Sequence, residues 1–175
     1  MEIETPRCRL RPWRLEDKDD LLRNADNPRV ARNLMNGFPS PYTPADADAW
    51  LQGRVEEGEP ALHFAIEIDG VAAGGIGLII REDVYARNVG VGYWLGESYW
   101  GQGYATEALR ALVPYVFETF DCHRLHSHHY GWNLASGRVL EKAGFRLEGC
   151  LREHICKNGE FTDSLQYGLL REEAF

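Results

Sequence analysis

Residues 93–108 read Tyr93-Trp94-Leu95-Gly96-Glu97-Ser98-Tyr99-Trp100-Gly101-Gln102-Gly103-Tyr104-Ala105-Thr106-Glu107-Ala108. An extended run passes into a glycine-spaced loop. The loop opens a segment in which Ala105, Ala108, Leu109, Leu112, Val116 and Phe120 recur at helical spacing. The first turn of a helix presents N–H groups without intrahelical partners, and the macrodipole adds partial positive charge there. Gly101 and Gly103 remove side chains that would hold a phosphate away from the backbone. The stretch therefore predicts a pyrophosphate site made by main chain, although two glycines before a helix also make an ordinary turn. The dinucleotide fingerprint GxGxxG is absent, as is the GK-Ser/Thr of a P-loop. Another phosphorylated cofactor is implied.

Outward from this stretch, the periodicities alternate between strand and helix. Toward the N-terminus, residues 7–13 alternate, with Arg7, Arg9 and Arg11 on one side and Cys8 and Leu10 on the other, a strand. Residues 16–24 form a short helix ended at Asn27-Pro28, and 29–34 can form another. Thr43 and Pro44 open a helix to about residue 57, as N-cap and first helical residue. His63–Ile68 and Val71–Ile80 are strands joined at Asp69-Gly70, a hairpin signal. Asn88–Leu95 is a third extended run, where Gly90 and Gly92 suit a bulge. After the helix of residues 104–120, where Pro114 should cause a kink or a shift in hydrogen bonding, come a strand at 124–129 and a helix at 133–143 closed by Gly144. Strands at 145–156 and 160–170 meet at Asn158-Gly159. The order is that of a mixed α/β sheet.

The chain has 175 residues, which favours one domain, residues 1–175, able to bury about 70% of its unfolded surface. Its 44% hydrophobic and 26% charged residues argue against disorder. No stretch nears the roughly 18 apolar residues of a membrane span, and the first residues lack the apolar run of a secretory signal. A soluble cytoplasmic protein is expected. The net charge is −8, and residues 36–100 hold 10 acidic side chains against 3 basic ones. Nucleic acid would be repelled, and a cationic substrate attracted, unless the acids only form a solvated face. The cysteines Cys8, Cys122, Cys150 and Cys156 form no CxxC pair and read as small buried or half-buried thiols.

Gly-Tyr-Trp-Leu at 92–95, the run at 99–108, Asn133-Leu-Ala-Ser136 and Leu140-Glu-Lys-Ala-Gly-Phe145 together resemble the GNAT superfamily of N-acetyltransferases. Arg-Leu-Arg-Pro-Trp at 9–13 and the C-terminal Tyr167-Gly-Leu-Leu-Arg are similar to its RimJ/RimL-like branch, which includes acetyltransferases of ribosomal-protein N-termini. The resemblance spans the chain, in order.

It implies a GNAT fold: a mixed, mostly antiparallel central sheet of about seven strands, splayed between strands 4 and 5, with helices on both faces. It implies acetyl-CoA as co-substrate, no metal, and an acceptor amine that is a peptide or protein N-terminus, or else a small amine. No nucleic acid or membrane partner is implied. Homodimers are common in the family, though nothing in this sequence demands one. By the same resemblance, Trp100, Gly101, Gln102, Gly103, Tyr104, Ala105 and Thr106 hold the pyrophosphate. The pantetheine arm lies against Tyr93, Trp94, Leu95 and Gly96 on one side and the strand 124–129 on the other. Asn133, also a good N-cap, would bond the pantetheine amide.

Two departures bear on catalysis. Many family members carry a tyrosine at the position of Leu140 that protonates the departing thiolate; Ser136, one turn earlier on that helix face, is the candidate to bond the sulfur. A thiolate of pKa near 8.5 needs only modest stabilisation. A glutamate often stands in related enzymes where this chain has Gly90, so the general base is open among Glu97, Glu153, His154, the histidines of residues 124–129 and ordered water. His126 and His128 would share a strand face, and Cys122, His123, His126, His128 and His129 could be weighed as a zinc site. No further ligand stands at a recognisable spacing, so a pocket-lining or exposed role is favoured. His63 receives no role. A module that binds acyl-CoA without turnover is the alternative of another class.

Overall fold

The computed structural model describes residues 1–174. Two compact units emerge, residues 1–77 with 93–111 and residues 78–92 with 112–175. Eight strands are described: β1 (Ile3–Glu4), β2 (Arg9–Arg11), β3 (His63–Ile68), β4 (Val71–Ile80), β5 (Asn88–Leu95), β6 (Arg124–Tyr130), β7 (Arg146–Lys157) and β8 (Glu160–Leu170). They form an open mixed sheet in the order β1-β2-β3-β4-β5-β6-β8-β7. The helices are α1 (Lys18–Ala25), α2 (Pro28–Ala31), α3 (Pro44–Val55), α4 (Tyr104–Thr119) and α5 (Leu134–Lys142). Among the described residues no helix is long and apolar enough to cross a membrane.

In the first unit, Trp13, Leu21, Tyr42, Leu51, Ala65 and Ala72 form a buried cluster, and Phe38, Trp50 and Trp94 pack against it. Thr43 caps α3 as its residue type predicts, and Asp46 completes a capping box by accepting from the Thr43 N–H at 2.8 Å. The Asp69-Gly70 turn has φ of 50° and 81°, the left-handed pair that a two-residue hairpin requires. Helix α1 ends at Ala25, just before Asn27-Pro28, and Asn27 caps α2 by accepting from the Arg29 N–H at 2.9 Å. The expected strand at residues 7–13 is only Arg9–Arg11. Its arginine face is not a solvent face. Arg11 is 2% exposed and donates to Asp17 at 2.7 and 2.8 Å and to Glu67. A buried guanidinium is tolerated because two carboxylates use its fork of donors.

In the second unit, α4 continues through Pro114, and Leu112, Val116, Phe117, Leu125, Leu140 and Phe145 are buried. Strand β7 pairs with β8 through the Asn158-Gly159 turn, whose φ values of 52° and 82° repeat the geometry of Asp69-Gly70. It is the last strand of the sheet, and its side chains are mostly exposed. That corrects the reading of the cysteines: Cys8 and Cys122 are buried, but Cys150 and Cys156, both on β7, are exposed. The sheet also has eight strands rather than about seven, because Ile3–Glu4 pairs with Arg9 and Leu10.

Candidate active site

The first unit builds the glycine loop. Gly101 and Gly103 have φ of 73° and 89°, the left-handed region that favours glycine, and nothing lies within 4 Å of where a Gly101 Cβ would stand. Glu107 N donates to the Gly103 carbonyl at 3.0 Å, so α4 starts with Tyr104, Ala105 and Thr106. Their N–H groups have no carbonyl four residues back within the helix. Trp100, which stands at the head of the loop, is pinned by its indole N–H, which donates to the Leu95 carbonyl at 2.8 Å. Gln102 is folded back as well, its side-chain amide donating to the Ser98 carbonyl at 2.8 Å. The loop is thus held by its own side chains while Gly101, Gln102 and Gly103 are exposed, an arrangement that suits an anion.

A further clamp was invisible in the sequence. Arg7 donates through its backbone N–H and its Nε to the two Glu107 oxygens, both at 2.8 Å, and through a terminal nitrogen to the Gln102 carbonyl at 2.9 Å. Thr5 donates to the same carboxylate at 2.7 Å. Desolvation pushes the Glu107 carboxyl up, but the bonds from Thr5 and Arg7 outweigh it and hold its pKa below the usual value. The only trace in sequence is an acid in the first helical turn, where the macrodipole favours it.

The other loop residues are also placed. Trp94 is half-buried and packs edge-to-face on Phe38, with centroids 5.4 Å apart. The Leu95 side chain is buried, and Gly96 N donates to the Ala73 carbonyl at 2.8 Å. Glu97, one candidate base, accepts from Asn27 at 2.8 Å and pairs with Arg29, whose guanidinium also lies 5.6 Å from the Trp100 ring centre.

The second unit holds Asn133 and Ser136. Asn133 caps α5, its side-chain oxygen 3.4 Å from the Ser136 N–H, and both residues are half-buried. Leu140 is fully buried. Ahead of α5, β6 pairs in parallel with β5 from Asn88–Arg124 to Gly90–His126, and the buried Ser127 hydroxyl donates to the Val91 carbonyl at 2.8 Å. His129 is buried with its Nδ1 2.8 Å from the Tyr130 carbonyl, which fixes the proton on Nδ1. Among the described residues no three His, Cys, Asp or Glu side chains converge as a metal site. Glu153 and His154 are exposed on β7, where the β7–β8 register shifts between Leu151 and Ile155.

The acidic segment is less available to a cation than its charge suggests. Asp46 completes the capping box of α3, Asp48 pairs with Lys18 at 2.6 Å, and Glu57 pairs with Arg54 at 3.0 Å and lies 2.6 Å from His63. Tyr42 belongs to the buried cluster of its unit, and the half-buried Phe38 packs against that cluster.

Three known proteins bear on this arrangement. The uncharacterized N-acetyltransferase p20 of Bacillus licheniformis is 29% identical over 98% of this chain and 97% of its own. The ribosomal protein uS5-alanine N-acetyltransferase of Escherichia coli is 31% identical over 55% of this chain and 48% of its own. RimJ of Mycobacterium smegmatis, solved in complex with CoA-disulfide, is 26% identical, covers 99% of this chain and 88% of that one, and superposes with a TM-score of 0.84. The model of the Acetyltransferase (GNAT) domain matches residues 7–146, from the Arg7 clamp through the glycine loop to Asn133 and Ser136, and on that span this chain belongs to the GNAT family of acetyltransferases.

Proposed function

We propose that the protein moves the acetyl group of acetyl-CoA to a primary amine, and that the amine is the N-terminus of a protein or peptide. The observation that carries the first part is the pair of left-handed glycines opening α4 with an exposed backbone, in a chain of this family. The second part is supported by the similarity to the uS5-alanine acetyltransferase and to RimJ.

In this reading Gly101, Gln102, Gly103, Tyr104, Ala105 and Thr106 present N–H groups to the pyrophosphate, and Trp100 fixes the loop from below. Backbone groups of Trp94, Leu95 and Gly96 flank the pantetheine arm. Asn133 bonds a pantetheine amide with the part of its side chain that the helix cap leaves over. The Ser136 hydroxyl donates to the sulfur as the C–S bond breaks. Preorganised donors of this kind supply several kcal/mol to acyl transfer. Attack is direct, with both substrates bound. The protein works in the cytoplasm on this reading.

The test is turnover of acetyl-CoA against a pooled panel, with products identified by mass because exposed Cys150 and Cys156 would disturb thiol dyes. The panel holds peptides with free Ser, Ala or Met N-termini, polyamines, amino acids and aminoglycosides. An acetylated peptide supports the reading. A product only among the small amines moves the acceptor to that class. Thermal stabilisation by acetyl-CoA without any product makes the chain a binding module.

A further inference from the structure

His126 stands between two glycines. On β6 it is the register partner of Gly90 in the parallel β5 and of Gly168 in the antiparallel β8. Register partners share a sheet face, so the imidazole has no side chain on either flank at its own level. It leans toward β5. Its Cε1 and Nε2 lie 3.2 and 3.3 Å from the point where a Gly90 Cβ would stand, and Ile79 Cβ lies 3.2 Å from that point. On the β8 side, the space over Gly168 is taken by the Arg124–Glu148 ion pair. The face above Gly90 therefore carries an imidazole, and a side chain at residue 90 would displace it.

We propose that His126 is the proton acceptor for the incoming amine. This rests on the acetyltransferase reading above. The Gly90–His126 pair is the last of the parallel ladder, and ligands in open α/β sheets bind beyond the carboxyl ends of parallel strands. The same strand ends at Tyr130, one turn before Asn133 and Ser136 at the start of α5.

The charge surroundings favour a neutral ring. Desolvation lowers the His126 pKa first, Arg81, Arg124 and His128 lower it further, and Glu148 alone opposes them. The other groups at its face, Gly90 and Ile79, do not titrate. A neutral imidazole at pH 7 can accept a proton; an imidazolium cannot. In the step, His126 Nε2 takes one proton from the ammonium, directly or through one water. The freed nitrogen bonds to the thioester carbonyl carbon and the C–S bond breaks. The second amine proton leaves with the sulfur as free thiol, and the imidazolium returns its proton to water.

The experiment compares wild type with His126→Gln, which keeps a neutral polar side chain. The kcat/KM of wild type should fall on the acid side with the pKa that NMR measures for the His126 imidazole, below the ordinary value. His126→Gln should lose about 100-fold in kcat/KM and that acid limb, while acetyl-CoA still stabilises it as it does wild type. The double variant His126→Ala, Gly90→Glu, which puts a carboxylate into the vacated space, should recover part of the rate. His126→Gln at the wild-type rate, or an acid limb that does not track the His126 titration, overturns the proposal while leaving the acetyltransferase reading intact. Wild type that binds acetyl-CoA and acetylates no amine overturns both.

Discussion

Arg7 and Glu107 lie 100 residues apart in the chain, and the Arg7 backbone and guanidinium together grip both oxygens of the carboxylate. This ties the N-terminal segment to the first turn of α4 and, through the Gln102 carbonyl, to the glycine loop itself. Arg7 is half exposed, so the grip is worth more to the loop's position than to stability. Arg7→Ala should weaken acetyl-CoA binding by roughly fivefold, about 1 kcal/mol, with the melting temperature little changed. Calorimetric titration of acetyl-CoA into both proteins checks it.

Gly103 needs its left-handed φ, and a Cβ there would stand 3.2 Å from the Arg7 guanidinium. Gly103→Ala should cost about 1–2 kcal/mol in backbone strain and weaken acetyl-CoA binding about tenfold by turning the loop N–H groups. Gly92→Ala, with nothing within 4 Å of its Cβ, is the control and should leave the affinity unchanged. The same titration reads both.

Removing Ser136 should slow chemistry without loosening the co-substrate. Ser136→Ala is expected to lower kcat roughly tenfold, the loss of one hydrogen bond to charge of about 1.5 kcal/mol. Its acetyl-CoA dissociation constant should stay within twofold of wild type. A fall in affinity with kcat intact would place Ser136 in binding rather than in release of the thiol.

Arg11 is buried between Asp17 and Glu67 in the first unit, and Arg11→Ala leaves the buried Asp17 carboxylate without its guanidinium and Glu67 with Arg9 alone. The expected loss is about 3–5 kcal/mol, measured by urea unfolding. Desolvation raises the Glu67 carboxyl, but Arg11 and Arg9 more than offset it, so its folded pKa lies below the ordinary carboxylate value. A depressed folded pKa contributes stability that is present above the unfolded pKa and is lost as pH falls through the folded one. Unfolding free energy should therefore decline below about pH 4.3, and Glu67→Gln should flatten that decline.

What the sequence revealed and what it hid follow one physical line. Thr43 with Asp46, Asp69-Gly70, Asn158-Gly159 and Gly101 with Gly103 act within three or four residues, and each folds as its residue types predict. The burial of Arg11 depends on Glu67, which sits 56 residues away, and alternation alone makes the arginine face of β2 look solvated. The Arg7–Glu107 grip is hidden for the same reason. Cys150 and Cys156 read as buried or half-buried because the apolar pattern of β7 does not say that it ends the sheet. The acidic segment suggested attraction for a cation, yet Asp46, Asp48 and Glu57 each have a partner that only the fold supplies.

The central claim is transfer of acetyl to an N-terminal amine, and one measurement meets it directly. A peptide with a free N-terminal alanine and an internal lysine is incubated with the protein and acetyl-CoA, and fragment masses locate the added group. The account predicts a single acetyl on the alanine nitrogen and none on the lysine. Acetyl on the lysine alone, or an unmodified peptide beside an acetylated small amine, would contradict it.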